Sequence, residues 1–315
     1  MEEYITKINE LINEIKKVVI GKDEIIIKVL TAILAKGHIL IEDIPGVGKT
    51  TLALAFSKAM ELEYHRMQFT PDVLPSDVVG FHVYDKDGQD SHFKQGSIFC
   101  NMFLADEINR TSSKTQSALL EVMEEGRVTV DAITREVPKP FVVIATQNPI
   151  GSAGTQMLPE SQLDRFMVRL SMGYPDMQSE VEILKGRNTT NPMDSVDSVI
   201  TQEDLLILLQ VVDQIFVHDA VYQYIAALVL KTREHDLLQL GVSPRGTLAL
   251  TSMAKAYAFV CGRTYVIPDD VRIVFKDVVT HRLILKPKAR VNNVTVDMII
   301  DQILQTVPAP RMVVK

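Results

Sequence analysis

The sequence predicts an α/β protein of two domains: a parallel sheet sandwiched by helices in residues 1–185, and a small all-helical domain in residues 186–315. Short, nearly continuous apolar runs alternate with helical segments as far as about Tyr174, which is typical of strands covered by helices on both faces. Residues 174–195 become polar and rich in turn residues, and the periodicity beyond them is helical. The chain is therefore expected to divide near residue 185.

The apolar periodicity places the individual elements in order. Two amphipathic helices are predicted within residues 4–36, separated at Val18–Lys22, where Gly21 interrupts the pattern. The other elements predicted for the first domain are a strand at His38–Glu42, a turn at Pro45–Gly48, a helix at Thr50–Met60, a strand at Asn101–Ala105, a helix at Lys114–Glu125, a hairpin of Arg127–Val130 and Arg135–Val137 around Asp131–Thr134, and a strand at Phe141–Ala145. The helices predicted for the second domain are Gln202–Ile215, Asp219–Arg233, Pro244–Cys261 and Asp269–Arg282.

Composition and charge exclude several classes of protein. The chain has 46% hydrophobic and 23% charged residues, as soluble globular proteins do, and its apolar runs are too short to span a bilayer. The amino-terminal stretch is charged and helical in pattern, so we expect no signal peptide and a cytoplasmic location. With 33 basic and 40 acidic side chains the net charge is −7, which disfavours a dedicated nucleic-acid binder. Cys100 and Cys261 lie in apolar stretches and are expected to be buried thiols.

A glycine-bearing turn between a predicted strand and a predicted helix points to phosphate binding. Small residues at Gly46 and Gly48 let backbone N–H groups approach phosphate oxygens closely. Lys49 then supplies a charge to the phosphates, and Thr50 supplies a hydroxyl ligand for Mg²⁺. The general pattern begins with glycine, whereas this chain has Asp43. The residues expected to contact the nucleotide in this loop are Pro45, Gly46, Val47, Gly48, Lys49, Thr50 and Thr51.

Polar side chains follow two further apolar strands. Asp106 and Glu107 come at the end of the Asn101–Ala105 strand, and Asn148 follows the Phe141–Ala145 strand. Ligands of parallel sheets bind at the carboxyl ends of the strands. Asp106 is suited to hold Mg²⁺, and Glu107 to polarise a water that attacks the γ-phosphate. Asn148 can hydrogen-bond both that phosphate and that water.

These motifs, with a helical domain behind them, resemble the AAA+ superfamily, and longer strings resemble its MoxR family. The strings are GHILIEDIPGVGKTTLA, MQFTPDVLPSDVVG, LADEINRTSSKTQSALLEVMEEGRVTV, VIATQNPIGSAGTQMLPESQLDRFMVRL and GVSPRGTLAL. They occur in the family's order and cover residues 18–275 approximately. The family typically has the EDxPGVGKT form of the loop, so the resemblance accounts for Asp43.

The resemblance implies roles for individual residues. Val19, Ile20 and Gly21 match the segment near adenine, and Asn148 matches sensor 1. Arg165 matches the arginine finger that reaches the ATP of a neighbouring subunit, and Arg245 matches sensor 2 on the helical lid domain. Residues Gln68–Phe81 match the helix-2 insert, and Gly126–Pro140 the hairpin before sensor 1.

The resemblance also implies a fold and an assembly. The first domain is expected to be a P-loop AAA+ domain and the second its lid. The protein is expected to bind and hydrolyse ATP with Mg²⁺, to form a homo-oligomeric ring, commonly a hexamer, and to remodel a protein client in a chaperone-like way. Proteins with a von Willebrand factor A domain are frequent partners of the family.

Some alternatives stay open. Position after sheet strands also allows Arg110 or Arg169 to be the intersubunit arginine, and Arg245 is compatible with action in its own subunit or in the next. A nucleic-acid motor is the alternative function, because related helix-2-insert ATPases include DNA helicases. A nucleotide switch that does not hydrolyse ATP is a further alternative, which Glu107 and Arg165 disfavour.

Overall fold

The structure is a computed structural model and describes residues 2–84, 91–148, 157–186 and 192–311. Its strands are β1 (Ile39–Glu42), β2 (Tyr64–Gln68), β3 (Gly80–Tyr84), β4 (Ser91–Gln95), β5 (Met102–Asp106), β6 (Arg127–Val130), β7 (Ile133–Glu136), β8 (Val142–Gln147), β9 (Val168–Leu170), β10 (Leu238–Leu240) and β11 (Ile284–Leu285). Its helices are α1 (Glu2–Lys16), α2 (Asp23–Leu34), α3 (Lys49–Ala59), α4 (Pro75–Val79), α5 (Ser113–Glu125), α6 (Glu160–Leu163), α7 (Met177–Gly186), α8 (Gln202–Asp213), α9 (Asp219–Arg233), α10 (Pro244–Val260), α11 (Pro268–Val279), α12 (Pro287–Val291) and α13 (Val296–Thr306).

The centre of the molecule is a five-stranded parallel sheet in the order β2-β5-β8-β1-β9. Successive side chains of a strand point to opposite faces. Ile39 and Ile41 of β1 accordingly pack into one core with α1, α2 and α3, while Leu40 packs into a second core with α5. The predicted parallel sheet between two helical layers is confirmed.

The helical domain packs against the amino-terminal helices. Buried side chains of α8, α9, α10 and α11 belong to the same apolar core as those of α1 and α2. The core is therefore continuous across the boundary predicted at residues 185 and 186, which stays a prediction. The domain also contains a short antiparallel pair, β10 with β11, and a further helix, α13, which the periodicity did not indicate. Within the described residues, no helix is long and apolar enough to cross a membrane.

Some sequence predictions were wrong in detail. The hairpin of β6 and β7 turns at Asp131 and Ala132, both in left-handed conformation with φ of 51° and 62°, so the turn has two residues rather than four. The last long predicted helix ends at Val279, and a separate 3₁₀ turn, Thr280–Arg282, follows it. Cys100 is buried as expected, but Cys261 is exposed at the end of α10.

The hairpin of β3 and β4, within and after the expected helix-2 insert, contacts the β6–β7 hairpin. The guanidinium of Arg135 on β7 lies 3.8 Å from the ring centroid of Phe93 on β4, a cation–π contact. It also lies 3.2 Å from Nε2 of His82 on β3. The two elements that the resemblance assigns to a pore or a partner therefore meet each other.

A buried arginine joins the helical domain to the start of β9. Arg282, only 5% exposed, donates to the carboxylate of Asp164 at 2.7 Å and to the carbonyl oxygens of Phe166 at 2.6 Å and Met167 at 3.2 Å. A buried charge is tolerated when it is paired and hydrogen-bonded in this way. The segment that contains Arg165 is thus held from the helical domain.

We expect Arg282→Leu to lower the free energy of unfolding by about 3–5 kcal/mol, because the carboxylate of Asp164 and the carbonyl groups lose a buried partner. Urea unfolding followed by circular dichroism measures the loss. The control is Lys276→Met, which removes an ion pair with Asp297 whose side chains are both about half exposed and should cost less than about 1 kcal/mol. Equal losses in the two variants would contradict the prediction.

His38 predicts a dependence of stability on pH. Its Nδ1 accepts from the Val143 N–H at 3.0 Å and its Nε2 donates to the Met123 carbonyl at 2.8 Å, so the folded protein holds a neutral imidazole. Burial lowers the pKa of His38 to about 4. An unfolded chain binds a proton near pH 6.5, so the stability present above that pH is lost as the pH falls towards 4.

The loss attributable to His38 should be about 2 kcal/mol at pH 5 relative to pH 7.5. Urea unfolding of His38→Gln at both pH values should show a smaller decrease by that amount, and the exposed His92→Gln should behave as the wild type. His281 is also buried, and its pKa is lowered by burial first and then by the charge of Arg282, so His38→Gln should retain part of the dependence. An unchanged pH dependence in His38→Gln would refute the assignment.

Candidate nucleotide-binding site

The glycine-bearing loop connects the carboxyl end of β1 to α3. Gly46 and Gly48 have φ of 86° and 97°, a conformation that favours glycine. A Cβ added at Gly46 would meet no described atom within 4 Å, so the space beside it is open. No described side chain caps the first turn of α3, which begins at Lys49. The free N–H groups and the helix dipole make this end of α3 suitable for an anion.

Lys49 bends back over the loop. Its Nζ donates to the carbonyl oxygens of Asp43 at 2.8 Å and Ile44 at 3.3 Å. Burial lowers the pKa of Lys49, whereas the charges of three nearby carboxylates act in the opposite direction. These belong to Asp106, Asp43 and Glu107. The predicted lysine and the two predicted acids therefore lie in one electrostatic environment.

Hydrogen bonds connect the carboxyl ends of three neighbouring strands. The hydroxyl of Thr146 on β8 donates to Oδ1 of Asp106 at 2.6 Å and accepts from the N–H of Glu107 at 2.8 Å. Oδ2 of Asp106 accepts from Arg66 on β2 at 2.7 Å. Asp106 is thus fixed in place by both neighbouring strands.

Glu107 has a left-handed backbone with φ of 55°, an uncommon conformation for a residue other than glycine. Its Oε2 accepts from Nε2 of Gln68 at 2.9 Å and from Arg110 at 2.7 Å. Both partners must release or share this oxygen before the carboxylate can accept a proton from a water. The carbonyl of Asn148, at the end of β8, accepts from Asn109 at 3.3 Å. Pro149, which follows Asn148 in the predicted motif, lies outside the described residues.

The segment of Val19, Ile20 and Gly21 lies at the start of α7. A Cβ at Gly21, whose φ is 69°, would stand 2.0 Å from Oγ of Ser179, so the close approach requires glycine. The chain that leads from β9 to α7 follows the same sheet edge as the phosphate loop. This places the segment expected near adenine on the correct side of the sheet.

Arg165 and Arg245 lie at the opposite edge of the sheet. Arg165 precedes β9, and the residue that starts this edge, His38, precedes β1 and accepts a hydrogen bond from the Met167 N–H at 2.8 Å. A strand of four residues is about 13 Å long, so neither arginine is beside the loop of its own subunit. Both contact Glu124 at the end of α5: Arg165 at 3.1 Å, and Arg245 through its Nη2. Arg165 also donates to the Leu120 carbonyl at 2.7 Å.

The other two candidate arginines lie elsewhere. Arg110 contacts Glu107 of its own site, and Arg169 on β9 pairs with Glu42 on β1 at 2.9 Å. Of the candidates, Arg165 is therefore grouped with Arg245, and Arg110 with the carboxylates. A cavity of about 290 Å³ adjoins the first group and is also lined by Lys36 and Arg282.

Sequence reasoning did not find several residues of these two groups. Glu124 was expected on a solvated helix end, which is wrong, since it pairs with two arginines. Arg66, Gln68 and Thr146 contact the predicted acids but stand outside the motifs that indicate them. The polar ends of β2 and β8, at the edge where ligands bind, are the signal that could have indicated them.

The residues present fit a nucleotide and a divalent cation. The open space beside Gly46, the uncapped start of α3 and Lys49 would hold phosphates. Thr50 on the first turn of α3 and Asp106 at the end of β5 carry the oxygen atoms that Mg²⁺ prefers. A bound Mg²⁺ would neutralise charge on the phosphates during transfer.

Comparisons with known proteins agree with this reading of the fold. Residues 38–168 match the ATPase family associated with various cellular activities (AAA), and residues 230–303 match the AAA lid domain. A crystal structure of a protein from Cytophaga hutchinsonii has a TM-score of 0.91 and 38% identity, covering 98% of this chain and 96% of that one. An MCM homologue from Methanopyrus kandleri, with a TM-score of 0.61 and 16% identity over 90% of this chain and 62% of that one, is similar in fold alone.

Two relatives match nearly the whole chain. YeaC of Bacillus subtilis is 45% identical and is aligned over 98% of this chain and 97% of its own length. Chaperone MoxR1 of Mycobacterium tuberculosis is 38% identical over 95% of this chain and 81% of its own length. With its phosphate loop, its paired carboxylates and its helical lid in these positions, the chain belongs to the MoxR family of AAA+ ATPases.

Proposed function

We propose that this protein is a Mg²⁺-dependent ATPase that forms a ring and uses ATP turnover to remodel a protein partner. The observation that carries the proposal is the separation of two groups of charges. Lys49, Asp106 and Glu107 meet at the carboxyl edge of the sheet, while Arg165 and Arg245 meet at the amino edge. One subunit therefore offers a phosphate site and, on another face, a pair of cations suited to phosphate.

The carboxyl-edge group supplies the parts of a hydrolytic site. Lys49 and the loop hold the phosphates, and Asp106 with Thr50 holds Mg²⁺. Glu107 accepts a proton from the attacking water, and Asn148 orients that water. The preorganisation of Asp106 by Thr146 and Arg66 supports this division of roles, because phosphoryl transfer depends mainly on positioning and on charge stabilisation.

The amino-edge group supports a head-to-tail assembly. When two different faces of one chain are complementary, repeated contacts close into a ring if the rotation permits. In such a ring Arg165 and Arg245 of one subunit act together on the ATP of the next subunit, and the γ-phosphate replaces the carboxylate of Glu124 as their common partner. A hexamer is the ring size that the family resemblance favours.

A protein client fits the acidic balance of the chain, and the Mycobacterium relative is named a chaperone. A partner with a von Willebrand factor A domain belongs to the same proposal. The contacting hairpins β3–β4 and β6–β7 are the surface we assign to the client or to the pore.

We expect Lys49→Ala and Glu107→Gln to separate binding from turnover. Loss of a charge-assisted contact to phosphate should weaken ATP binding by about ten- to a hundredfold. Loss of the proton acceptor should leave binding within about twofold and reduce turnover by about 10²–10⁴-fold. Calorimetry and phosphate release measure the two effects. Glu125→Gln at the exposed end of α5 is the control, and turnover by Glu107→Gln near the wild-type rate would refute its role.

Mixed rings test whether both arginines act on the neighbouring subunit. Arg165→Ala or Arg245→Ala, each mixed equally with Lys49→Ala, should regain about a quarter of wild-type turnover, because one interface in four combines an intact loop with both arginines. Arg165→Ala mixed with Arg245→Ala should regain none, because no subunit then offers both. Native mass spectrometry verifies that mixed rings form. Recovery in this last mixture would show that Arg245 acts within its own subunit.

A further inference from the structure

Asp43 occupies the first position of the phosphate loop, where the general pattern has glycine. Its side chain is buried, with the residue 7% exposed. Oδ1 accepts from the N–H of Ile44 at 2.8 Å. Oδ2 accepts from the hydroxyl of Ser171 at 3.0 Å and from the N–H groups of Met172 at 2.7 Å and Gly173 at 2.6 Å. A glycine at this position would make none of these contacts.

Three of the four donors belong to one stretch of chain. Residues 171–174, which we call the hinge segment, lead from the end of β9 towards α7 and the helical domain. Gly173 has φ of 61°, so its N–H and that of Met172 can both point at one oxygen. From the other side, Nζ of Lys22 donates to the carbonyl oxygens of Met172 at 2.6 Å and Tyr174 at 2.8 Å. Asp43 and Lys22 therefore hold the hinge segment between them.

The backbone of Asp43 belongs to the phosphate loop. Its N–H donates to the Gln147 carbonyl at 3.2 Å, as the last bond between β1 and β8. Its carbonyl accepts from Nζ of Lys49 at 2.8 Å. One residue thus contacts the phosphate-binding lysine through its main chain and the hinge segment through its side chain.

The carboxylate is held in its charged form. Burial on its own would raise the pKa of Asp43, but the hydrogen bonds from Gly173, Ile44, Ser171 and Met172 together lower it. Hydrogen bonds to a charged acceptor are stronger than neutral ones. The contact is therefore stiff enough to transmit a displacement from the loop to the hinge segment.

We infer that Asp43 is a positioning residue that couples the phosphate loop to the helical domain. When Lys49 turns towards phosphate, it leaves the carbonyl of Asp43, and the loop and the hinge segment move together because the carboxylate joins them. Coupling of this kind is reciprocal, so the hinge contact also affects the preference for ATP over ADP. The inference rests on the proposed function in one respect: ATP must bind at Lys49.

The test uses the full chain with one label on each domain. The exposed Cys261 is replaced by serine, and spin labels are placed at Ser117→Cys on α5 and Asp301→Cys on α13. Pulsed electron resonance then gives the distance between the labels with ATP and with ADP, and calorimetry gives both affinities. Asp43→Gly and Asp43→Asn are compared with Glu42→Gln, a matched loss of an adjacent carboxylate that contacts Arg169 and Gln147 instead of the hinge segment.

We expect both Asp43 variants to lose at least about half of the ATP-dependent distance change and about tenfold of the ATP-to-ADP affinity ratio. Glu42→Gln should keep both. A role confined to stability would lower the unfolding midpoint and leave the distance change intact. Wild-type responses in Asp43→Gly and Asp43→Asn would overturn the inference, as would a wild-type protein that binds ATP without a distance change.

Ser171→Ala decides the matter if the Asp43 variants do not fold. It removes one donor and leaves the charged carboxylate with its three N–H groups, so it should fold and show a partial loss, about two- to fivefold in the affinity ratio. A wild-type affinity ratio in Ser171→Ala would then overturn the inference. Failure of the proposed function is a separate result: the unmodified protein would then neither bind nor hydrolyse ATP.

Discussion

The polarity of the parallel sheet is the constraint on which the two functional groups depend. Strands β2, β5, β8 and β1 all run in one direction, so the side chains that follow them gather at a single edge. Helix α5 runs back against the sheet, and its end meets the start of β1 through the hydrogen bond of His38 to Met123. The same polarity that collects Lys49, Asp106 and Glu107 at one edge therefore keeps Arg165 at the other.

Each functional charge has a partner within its own chain. Lys49 contacts carbonyl oxygens of its loop, Asp106 contacts Arg66, and Glu107 contacts Gln68 and Arg110. An unpaired buried charge would be costly, so these contacts stabilise the isolated subunit. They also mean that a phosphate has to exchange with existing partners. The free energy of binding is then a difference between two sets of contacts, which favours sites that respond to the identity of the ligand.

Local sequence patterns were sufficient for the sheet and for the residues that follow its strands. The phosphate loop, Asp106 and Asn148 are each next to an apolar run, and the pattern needs no distant residue to be read. The partners of these residues are different, because Arg66 reaches Asp106 across 40 positions and Glu124 reaches Arg245 across 121. Pairings of that separation leave no periodicity. The turn at Asp131 was predicted too long for a local reason, since Ala132 adopts a left-handed conformation that alanine rarely favours.

The helical domain is bound to the sheet at both of its edges. At the carboxyl edge, the chain that leads to it is held by Asp43. At the amino edge, Arg282 holds the backbone on both sides of Arg165 through the carbonyl oxygens of Asp164 and Phe166. The sheet between these two attachments is close-packed on both faces and resists deformation. A rotation of the helical domain therefore has to displace the phosphate loop, the arginine segment, or both, which makes the angle of this domain the natural variable through which the two edges communicate.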